Sequence, residues 1–237
     1  MKVQLFVPCF IDQVYPEIAI ASMKVLRKLG CEVVYNTAQT CCGQPAFNAG
    51  FHEDAKDVCR KFMKDFEGDG YIVGPSASCI GFAKNYYKDL FGEDDQQVKA
   101  IQPRLFELAE FVVDVLGKDD LGASLPVTAT YHDSCAALRE MHIKSAPRKL
   151  LSKVNGLILK EMNDVETCCG FGGTFTVKFQ GISSAMADQK SFNAVETGAT
   201  HLISTDVSCL MHIDGYAKKI GRELKTMHIA EVLASGW

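Results

Sequence analysis

The chain has 237 residues, of which 47% are hydrophobic and 23% are charged, and its formal net charge is −4. This composition is typical of a folded protein with a buried core and excludes a largely disordered chain. The mild charge, without a cluster of Lys and Arg, argues against binding to nucleic acid or to a membrane surface.

The N-terminal stretch MKVQLFVPCFIDQ carries one basic residue and no small-residue cleavage site after its apolar run. We expect it to begin the fold as a strand rather than to act as a signal peptide. Apolar runs elsewhere are shorter than the roughly 18 residues of a membrane-spanning helix, so we predict no membrane span and a cytoplasmic protein. Ten cysteines in a reducing compartment favour metal or redox chemistry over disulfide bonds.

Strands alternate with helices along the first part of the chain. Short apolar, β-branched runs predict strands, and apolar residues at helical spacing predict helices. The predicted strands are 2–7, 31–35 and 71–74. The predicted helices are 16–29, 52–66 and 80–90. The polar segment 92–103 is predicted as a linker, and RLFELAEFVVDVL (104–116) as a helix that packs between two halves of the chain.

The remainder of the chain repeats this order. Strands are predicted near 126–131, 156–160, 200–204 and 225–228. Helices are predicted near 145–153, 181–197, 208–220 and 229–235. The alternation favours parallel sheets, so we predict an α/β fold of two similar Rossmann-like parallel-sheet halves from an internal duplication. We place the first repeat at 1–92, a linker and connecting helix at 93–125, and the second repeat at 126–237.

Eight of the cysteines form two copies of one pattern: a single cysteine, an adjacent pair followed by glycine, and a late cysteine. The gaps are 31 and 36 residues in the first copy and 32 and 39 in the second. The matching sets are Cys9, Cys41, Cys42 and Cys79, and Cys135, Cys168, Cys169 and Cys209. Each cysteine follows a predicted strand, at the sheet edge where α/β folds place their sites. We therefore expect each set to converge on one point.

Four thiolates from three loops are soft ligands for zinc, copper(I) or an iron–sulfur cluster. Adjacent cysteines would chelate one ion through a small, strained ring, and the paired C-x-x-C knuckles of structural zinc sites are missing. Two irons of one cluster can take one sulfur each, which favours iron–sulfur chemistry. A mixed protein, with zinc in one half, stays open. The glycine after each pair is expected to allow a tight turn and to leave room for a bulky cluster.

Five stretches carry a more specific likeness: CCGQPAFNAG (41–50), GPSASC (74–79), YHDSC (131–135), CCGFGGTF (168–175) and CLMHI (209–213). Together they resemble the cysteine-rich (CCG) domain family, which includes subunits of heterodisulfide reductase, glycolate oxidase and anaerobic glycerol-3-phosphate dehydrogenase. The likeness is greatest to the lactate-utilization group of this family, whose members have about this length. It implies one or two 4Fe-4S clusters held by the eight cysteines.

The resemblance also implies a function: an electron-transferring subunit of an oxidoreductase complex that converts L-lactate, or another 2-hydroxy acid, to pyruvate. The implied partners are other iron–sulfur subunits. The chain carries no motif of its own for removing a hydride, so it would need those partners. Two alternatives stay open, a zinc-stabilised scaffold subunit and a thiol–disulfide oxidoreductase of the heterodisulfide type.

This sequence departs from the fuller family pattern, in which each repeat ends in C-x-x-C. The earlier position holds Ser76 in the first repeat and Asp206 in the second. Asp206 is expected either to cap the helix that begins near Ser208 or to ligate iron through oxygen. Ser76 has the same two interpretations at the start of the helix that follows it in the first repeat.

Two histidines lie next to the cysteine pattern, and two cysteines lie outside it. His132 and His212 flank Cys135 and Cys209, and each is a substitute ligand, a proton donor or hydrogen-bonded scaffolding. Cys31 and Cys59 have no cysteine counterpart in the other half. They fall on a predicted strand and helix, so we expect them to pack in the core.

Overall fold

The computed structural model describes all 237 residues. Its strands are β1 (Lys2–Leu5), β2 (Glu32–Val34), β3 (Tyr71–Gly74), β4 (Leu105–Glu107), β5 (Thr128–Tyr131), β6 (Ile158–Leu159), β7 (His201–Ser204) and β8 (Lys225–His228). They form two four-stranded parallel sheets, with strand orders β2-β1-β3-β4 and β6-β5-β7-β8. The same order in both sheets confirms an α/β fold of two similar halves.

Helices connect the strands and cover the sheets. They are α1 (Cys9–Val14), α2 (Pro16–Lys28), α3 (Gln44–Asn48), α4 (His52–Asp65), α5 (Ala77–Asn85), α6 (Tyr87–Phe91), α7 (Gln96–Ile101), α8 (Leu108–Glu110), α9 (Ser145–Leu151), α10 (Thr174–Lys178), α11 (Gln180–Glu196), α12 (Val207–Lys219) and α13 (Ile229–Leu233). Short π-helical turns occupy Phe111–Val115 and Ala136–Glu140, and a 3₁₀ turn occupies Gln102–Arg104. None of these helices is long and apolar enough to cross a membrane.

The hydrogen-bond register shows which residues of the two halves are equivalent. Val3 of β1 pairs with Tyr71 of β3, and Ala129 of β5 pairs with His201 of β7. Immediately after these strands, the N–H of Phe6 donates to Val73 O at 2.9 Å, and the N–H of His132 donates to Ile203 O at 2.8 Å. Phe6 and His132 therefore hold the same position, three residues before the first cysteine of each set.

The prediction of one helix over 104–116 is wrong at its start. Leu105–Glu107 is the fourth strand of the first sheet, and Val73 of β3 pairs with Phe106. Leu105 and Glu107 are fully buried, and a buried run this short has no periodicity that separates strand from helix. The strand and the turn after it correspond to β8 and α13, so the duplication extends into the segment predicted as a linker and helix.

Other predicted boundaries also shift. The predicted linker 92–103 contains α7, which is capped by the Asp95 side chain and buries Val98 and Ile101. The helix predicted over 80–90 begins at Ala77 and is divided at Tyr86 into α5 and α6. The short helices α1, α3 and α10 were not predicted, since each is only one or two turns long.

The largest hydrophobic cluster joins the two halves. Val3 and Leu5 from the first sheet share it with Ala129 and Ile203 from the second, and Phe111 lies in the same cluster. Polar groups meet across the carboxyl edges of the sheets. Thr205, after β7, donates a hydrogen bond to Glu107 at the end of β4. The carboxyl edges of the two sheets therefore face each other, and the loops after the strands lie between them.

Candidate metal centres

The structure brings together the four matched cysteines of the first half. Cys9 begins α1 directly after β1, the Cys41–Cys42 pair lies between β2 and α3, and Cys79 lies in the first turn of α5. Their thiols lie side by side, so that each affects the ionisation of its neighbours, from Cys9 to Cys41, to Cys42 and to Cys79. We call this set the first cysteine site.

The second half repeats this geometry. Cys135 immediately precedes the turn Ala136–Glu140, the Cys168–Cys169 pair lies between β6 and α10, and Cys209 lies in the first turn of α12. The ionisation of each thiol is affected by the next one, from Cys135 to Cys168, to Cys169 and to Cys209. We call this set the second cysteine site. All ten cysteines of the chain are free thiols.

The ionisation of the thiols follows the same pattern in both sites. The neighbouring thiols of Cys42 and then Cys9 lower the pKa of Cys41 to about 3, and those of Cys135 and then Cys169 lower that of Cys168 to about 2. The pKa values of these four neighbours are raised in turn, because each lies beside that thiolate and is partly or fully buried. Four thiols this close together can all lose their protons only around a cationic centre, so the two sites are candidate metal centres.

Backbone N–H groups add to this anion-stabilising environment. Gly43 N donates to Cys41 Sγ at 3.4 Å, and Gly170 N donates to Cys168 Sγ at 3.4 Å. In the second site, Phe171 N also donates to Cys169 Sγ at 3.5 Å. Such donors to thiolate sulfur are among the features that adjust the properties of a bound cluster.

The glycine after each pair adopts the expected tight turn, with φ of +93° at Gly43 and +89° at Gly170. The expectation that it leaves room for a cluster is not met. A Cβ at Gly43 would lie 2.7 Å from Cys59 Sγ, and one at Gly170 would lie 2.8 Å from Ser183 O. The space beside each glycine is filled by the helix behind the loop.

The core roles predicted for Cys31 and Cys59 are confirmed, since both are buried within hydrophobic clusters. Cys59 lies behind the first site, with its Sγ 3.5 Å from Cys42 O. Burial raises the pKa of its thiol to about 11, so it stays protonated at neutral pH. Tyr87 supports the same loop by donating from its hydroxyl to Cys42 O at 2.7 Å.

Ser76 and Asp206 meet across the boundary between the halves. Ser76 Oγ donates to Asp206 Oδ1 at 2.9 Å, and both the N–H and the hydroxyl of Ser78 donate to the same oxygen, at 3.1 and 2.9 Å. Ser134, next to Cys135, donates to the other carboxylate oxygen. The prediction that the Asp206 side chain caps its own helix is wrong, because this carboxylate instead accepts from Ser78 N in the first turn of α5 in the other half. The capping role predicted for Ser76 is confirmed, since its Oγ accepts from Cys79 N at 3.4 Å.

The two histidines near the second site differ in their surroundings. His212 is scaffolding: its Nε2 lies 3.0 Å from Ser183 Oγ, and its ring packs against Phe171. His132 is fully buried, and neither ring nitrogen has a hydrogen-bond partner. Its ligand atom and the sulfurs of Cys169 and Cys209 all lie within 4.8 Å of one another. Burial lowers the pKa of His132 to about 3, which leaves the ring neutral, the form that binds metals.

Sequence reasoning missed Lys190, which is 1% exposed behind the second site. Its Nζ donates to Asp164 O at 2.6 Å and to Val165 O at 3.3 Å, and so holds the loop that leads to Cys168. Burial lowers its pKa, while the sulfur of Cys169 opposes that effect. Aligning the starts of α4 and α11 would have revealed it, because Lys190 then matches the buried Phe62 of the first half.

The comparisons with known proteins agree with this architecture. The model of the family described as "Cysteine-rich domain" matches residues 3–82 and 129–214, one segment in each half. The chain belongs to this family. Lactate utilization protein A 2 of Bacillus mycoides (strain KBAB4) is 46% identical over 238 residues, with 99% of each chain covered. Lactate utilization protein A 1 of Bacillus cereus (strain AH820) is 45% identical over the same span.

Among solved structures, a hypothetical protein from Helicobacter pylori matches with a TM-score of 0.57 at 11% sequence identity. The match covers 100% of this chain and 49% of that protein, so this chain spans about half the length of that structure. At this identity the likeness concerns the fold alone.

Proposed function

We propose that the protein is an iron–sulfur, electron-transferring subunit of a complex that oxidises L-lactate to pyruvate. The observation that carries this proposal is the convergence of four thiols at equivalent places in both halves of a duplicated fold. The lactate part rests on full-length relatives that are named lactate utilization proteins.

Each cysteine site has the donors that an iron–sulfur cluster requires. Cys9, Cys41, Cys42 and Cys79 would hold one 4Fe-4S cluster, and Cys135, Cys168, Cys169 and Cys209 would hold another. Adjacent cysteines suit neighbouring irons of one cluster better than a single ion. Cys9 is exposed and Cys135 is half-buried, so each site reaches the surface at its single cysteine, where electrons can be exchanged with a partner.

A bound cluster supplies one-electron transfer, and the two sites together match the two electrons that leave lactate when it becomes pyruvate. The residues of this chain hold the cysteines in place and stabilise negative charge on their sulfurs through the N–H groups of Gly43, Gly170 and Phe171. Removal of the substrate's hydrogens needs groups outside these sites, so we propose other iron–sulfur subunits as partners.

A cavity of about 720 Å³ beside Cys168 supports the approach of a 2-hydroxy acid to the second site. Its lining combines Arg139, whose charge suits a substrate carboxylate, with the apolar side chains of Met162 and Met186. Arg139 also donates to Glu166 O at 3.3 Å, which ties the guanidinium to the loop before Cys168.

One observation favours the zinc-scaffold alternative. His132, Cys169 and Cys209 together form a donor set of the kind that zinc accepts. Metal analysis distinguishes the two proposals: zinc at the second site with iron at the first would indicate a mixed protein, whereas stoichiometric zinc without iron would contradict the electron-transfer proposal.

The test is anaerobic purification followed by iron and sulfide analysis and Mössbauer spectroscopy. We expect iron and sulfide at both sites, with Cys41→Ser abolishing the first-site signal and Cys168→Ser the second. Cys59→Ser is the matched control, because this thiol lies beside the first site but outside the set of four, and we expect it to retain both signals. A colourless wild-type protein without iron after anaerobic reconstitution would contradict the proposal.

A further inference from the structure

We propose that His132 is a nitrogen ligand of the metal bound at the second cysteine site, which makes that site chemically different from the all-thiol first site. The inference deepens the proposed function and rests on it only in naming iron as the resident metal. It is carried by three observations: two unpartnered ring nitrogens, their position beside two thiols, and a phenylalanine at the same place in the other half.

The first observation is the state of the His132 ring. A buried polar atom without a partner costs about 1–3 kcal/mol, so such atoms are rare in native proteins. His228 is equally buried but fully paired, with Nε2 2.8 Å from Thr205 O and Nδ1 accepting from Ala230 N at 3.1 Å. His212 is paired with Ser183. Of these three histidines, only the one that faces the thiols lacks a partner, which leaves a ring nitrogen free to bind the metal.

The second observation is the position of the ring. Its ligand atom and the sulfurs of Cys169 and Cys209 lie within 4.8 Å of one another. Metal–nitrogen bonds of about 2.0–2.1 Å and metal–sulfur bonds of about 2.3 Å fit such a group after small side-chain adjustments. The backbone of His132 is fixed by its N–H bond to Ile203 O at 2.8 Å and by Ser204 Oγ, which donates to His132 O at 3.0 Å.

The third observation is the counterpart of His132 in the first half. Phe6 makes the same backbone hydrogen bond, but its ring packs edge-on against Phe62 and Phe66, with centroids 5.0 and 5.7 Å away. The first site therefore has no nitrogen donor at this place. The four irons of a cubane cluster take one protein ligand each, so His132 takes the place of one of the four thiolates at the second site, and replacement of thiolate by imidazole raises the potential of iron–sulfur centres. We expect the second site to have the higher reduction potential.

The ligand assignment is tested first with Co²⁺ alone, titrated into the metal-free, full-length protein. His132→Phe, which installs the residue of the first half, should weaken Co²⁺ binding at one of two sites by at least about 100-fold, the upper end of what outer-shell changes cost. His212→Phe is the matched control and should bind as wild type does. If His132→Phe also binds Co²⁺ as wild type does, the proposal is overturned, whether or not the protein carries iron.

A second measurement examines the iron-loaded protein by pulsed EPR with ¹⁵N-labelled histidine. Wild type and His212→Phe should show nitrogen coupling of the size expected for direct coordination, and His132→Phe should lose it. Weak coupling in wild type, of the size of a hydrogen-bonded ring, would overturn ligation. Absence of iron would contradict the proposed function instead, and the Co²⁺ titration would still decide the role of His132.

Thermal unfolding provides a readout that a purely structural histidine would not give. In the metal-free protein, His132→Phe removes two unpartnered nitrogens and should raise Tm. In the metal-loaded protein, the same change removes a ligand and should lower Tm. A loss of Tm in both forms would show that His132 only supports packing, and would overturn the proposal.

Discussion

The two cysteine sites present the same four thiols but lie against different side chains. Behind the first site, the buried rings of Phe6 and Phe62 pack edge-on against each other, with centroids 5.0 Å apart. Behind the second site, the equivalent places hold His132 and Lys190. Duplication thus kept the four thiols that we propose as metal ligands and changed the groups that surround them. Since burial, charge and hydrogen bonding around a centre set its properties, the two sites are not interchangeable.

The packing behind the two pairs of adjacent cysteines can be compared by replacing the glycine that follows each pair. We expect Gly170→Ala to destabilise the protein by about 3–5 kcal/mol, from strain at positive φ and overpacking against the fixed Ser183 carbonyl. Gly43→Ala should cost less, about 2–4 kcal/mol, because Cys59 Sγ can move. Urea unfolding of the metal-free protein measures both.

A double variant sharpens this comparison. Gly43→Ala combined with Cys59→Ala should recover part of the loss at the first site, because the clashing sulfur is gone. No truncation of a neighbour to alanine should rescue Gly170→Ala in the same way, since it clashes with the Ser183 carbonyl and with the Cβ of Met186, both of which remain after such a change. Equal costs at both glycines, with no rescue, would contradict the difference between the two sites.

The ends of the last strands provide a second contrast, this time in pH dependence. Burial raises the pKa of Glu107 from 4.5 to about 7, while burial lowers that of the equivalent His228 from 6.5 to about 4. The folded state thus binds the Glu107 proton more tightly than the unfolded state does. This group's contribution is fully present below pH 4.5 and is lost as pH rises towards 7, by about 3 kcal/mol.

Glu107→Gln removes this titration, so its stability relative to wild type should improve as pH rises from 4.5 to 7. The His228 contribution has the opposite sign, since its depressed pKa makes the folded state less stable as pH falls below 6.5. Urea titrations of wild type and Glu107→Gln across this range measure the difference. A pH-independent difference between the two proteins would show that Glu107 does not titrate in this window.

The smallest expected effect concerns Lys190. Lys190→Met keeps a long apolar side chain and removes a buried cation beside Cys168 and Cys169. Loss of a nearby positive charge should lower the reduction potential of the second site, on the order of 50 mV. Potentiometric titration followed by EPR measures it. An unchanged second-site potential, or an equal shift at the first site, would mean that Lys190 acts only by holding its loop.

The cysteine pattern predicted much of the fold, because strand–helix alternation and thiol spacing both repeat along the chain. It did not predict β4, because Leu105–Glu107 is a short buried strand that resembles the start of a helix. Local capping rules placed the Asp206 side chain on its own helix, whereas long-range packing directs it to Ser76 and Ser78. The lack of hydrogen-bond partners for the His132 ring could not be predicted from the sequence either, since it depends on which groups the fold places near the ring.

Hydrogen bonds from the first half to the Asp206 carboxylate of the second half affect whether either half can fold alone. The first turn of α5, which carries Cys79, takes one of its two side-chain acceptors from the opposite half, and Ser134 beside Cys135 donates to the same carboxylate. The second half alone would therefore expose the carboxylate of Asp206, which is buried in the intact protein. The first half alone would leave the N–H of Ser78 without its acceptor. The ancestral repeats have become mutually dependent, so splitting the chain between them should yield two pieces that fold only when mixed.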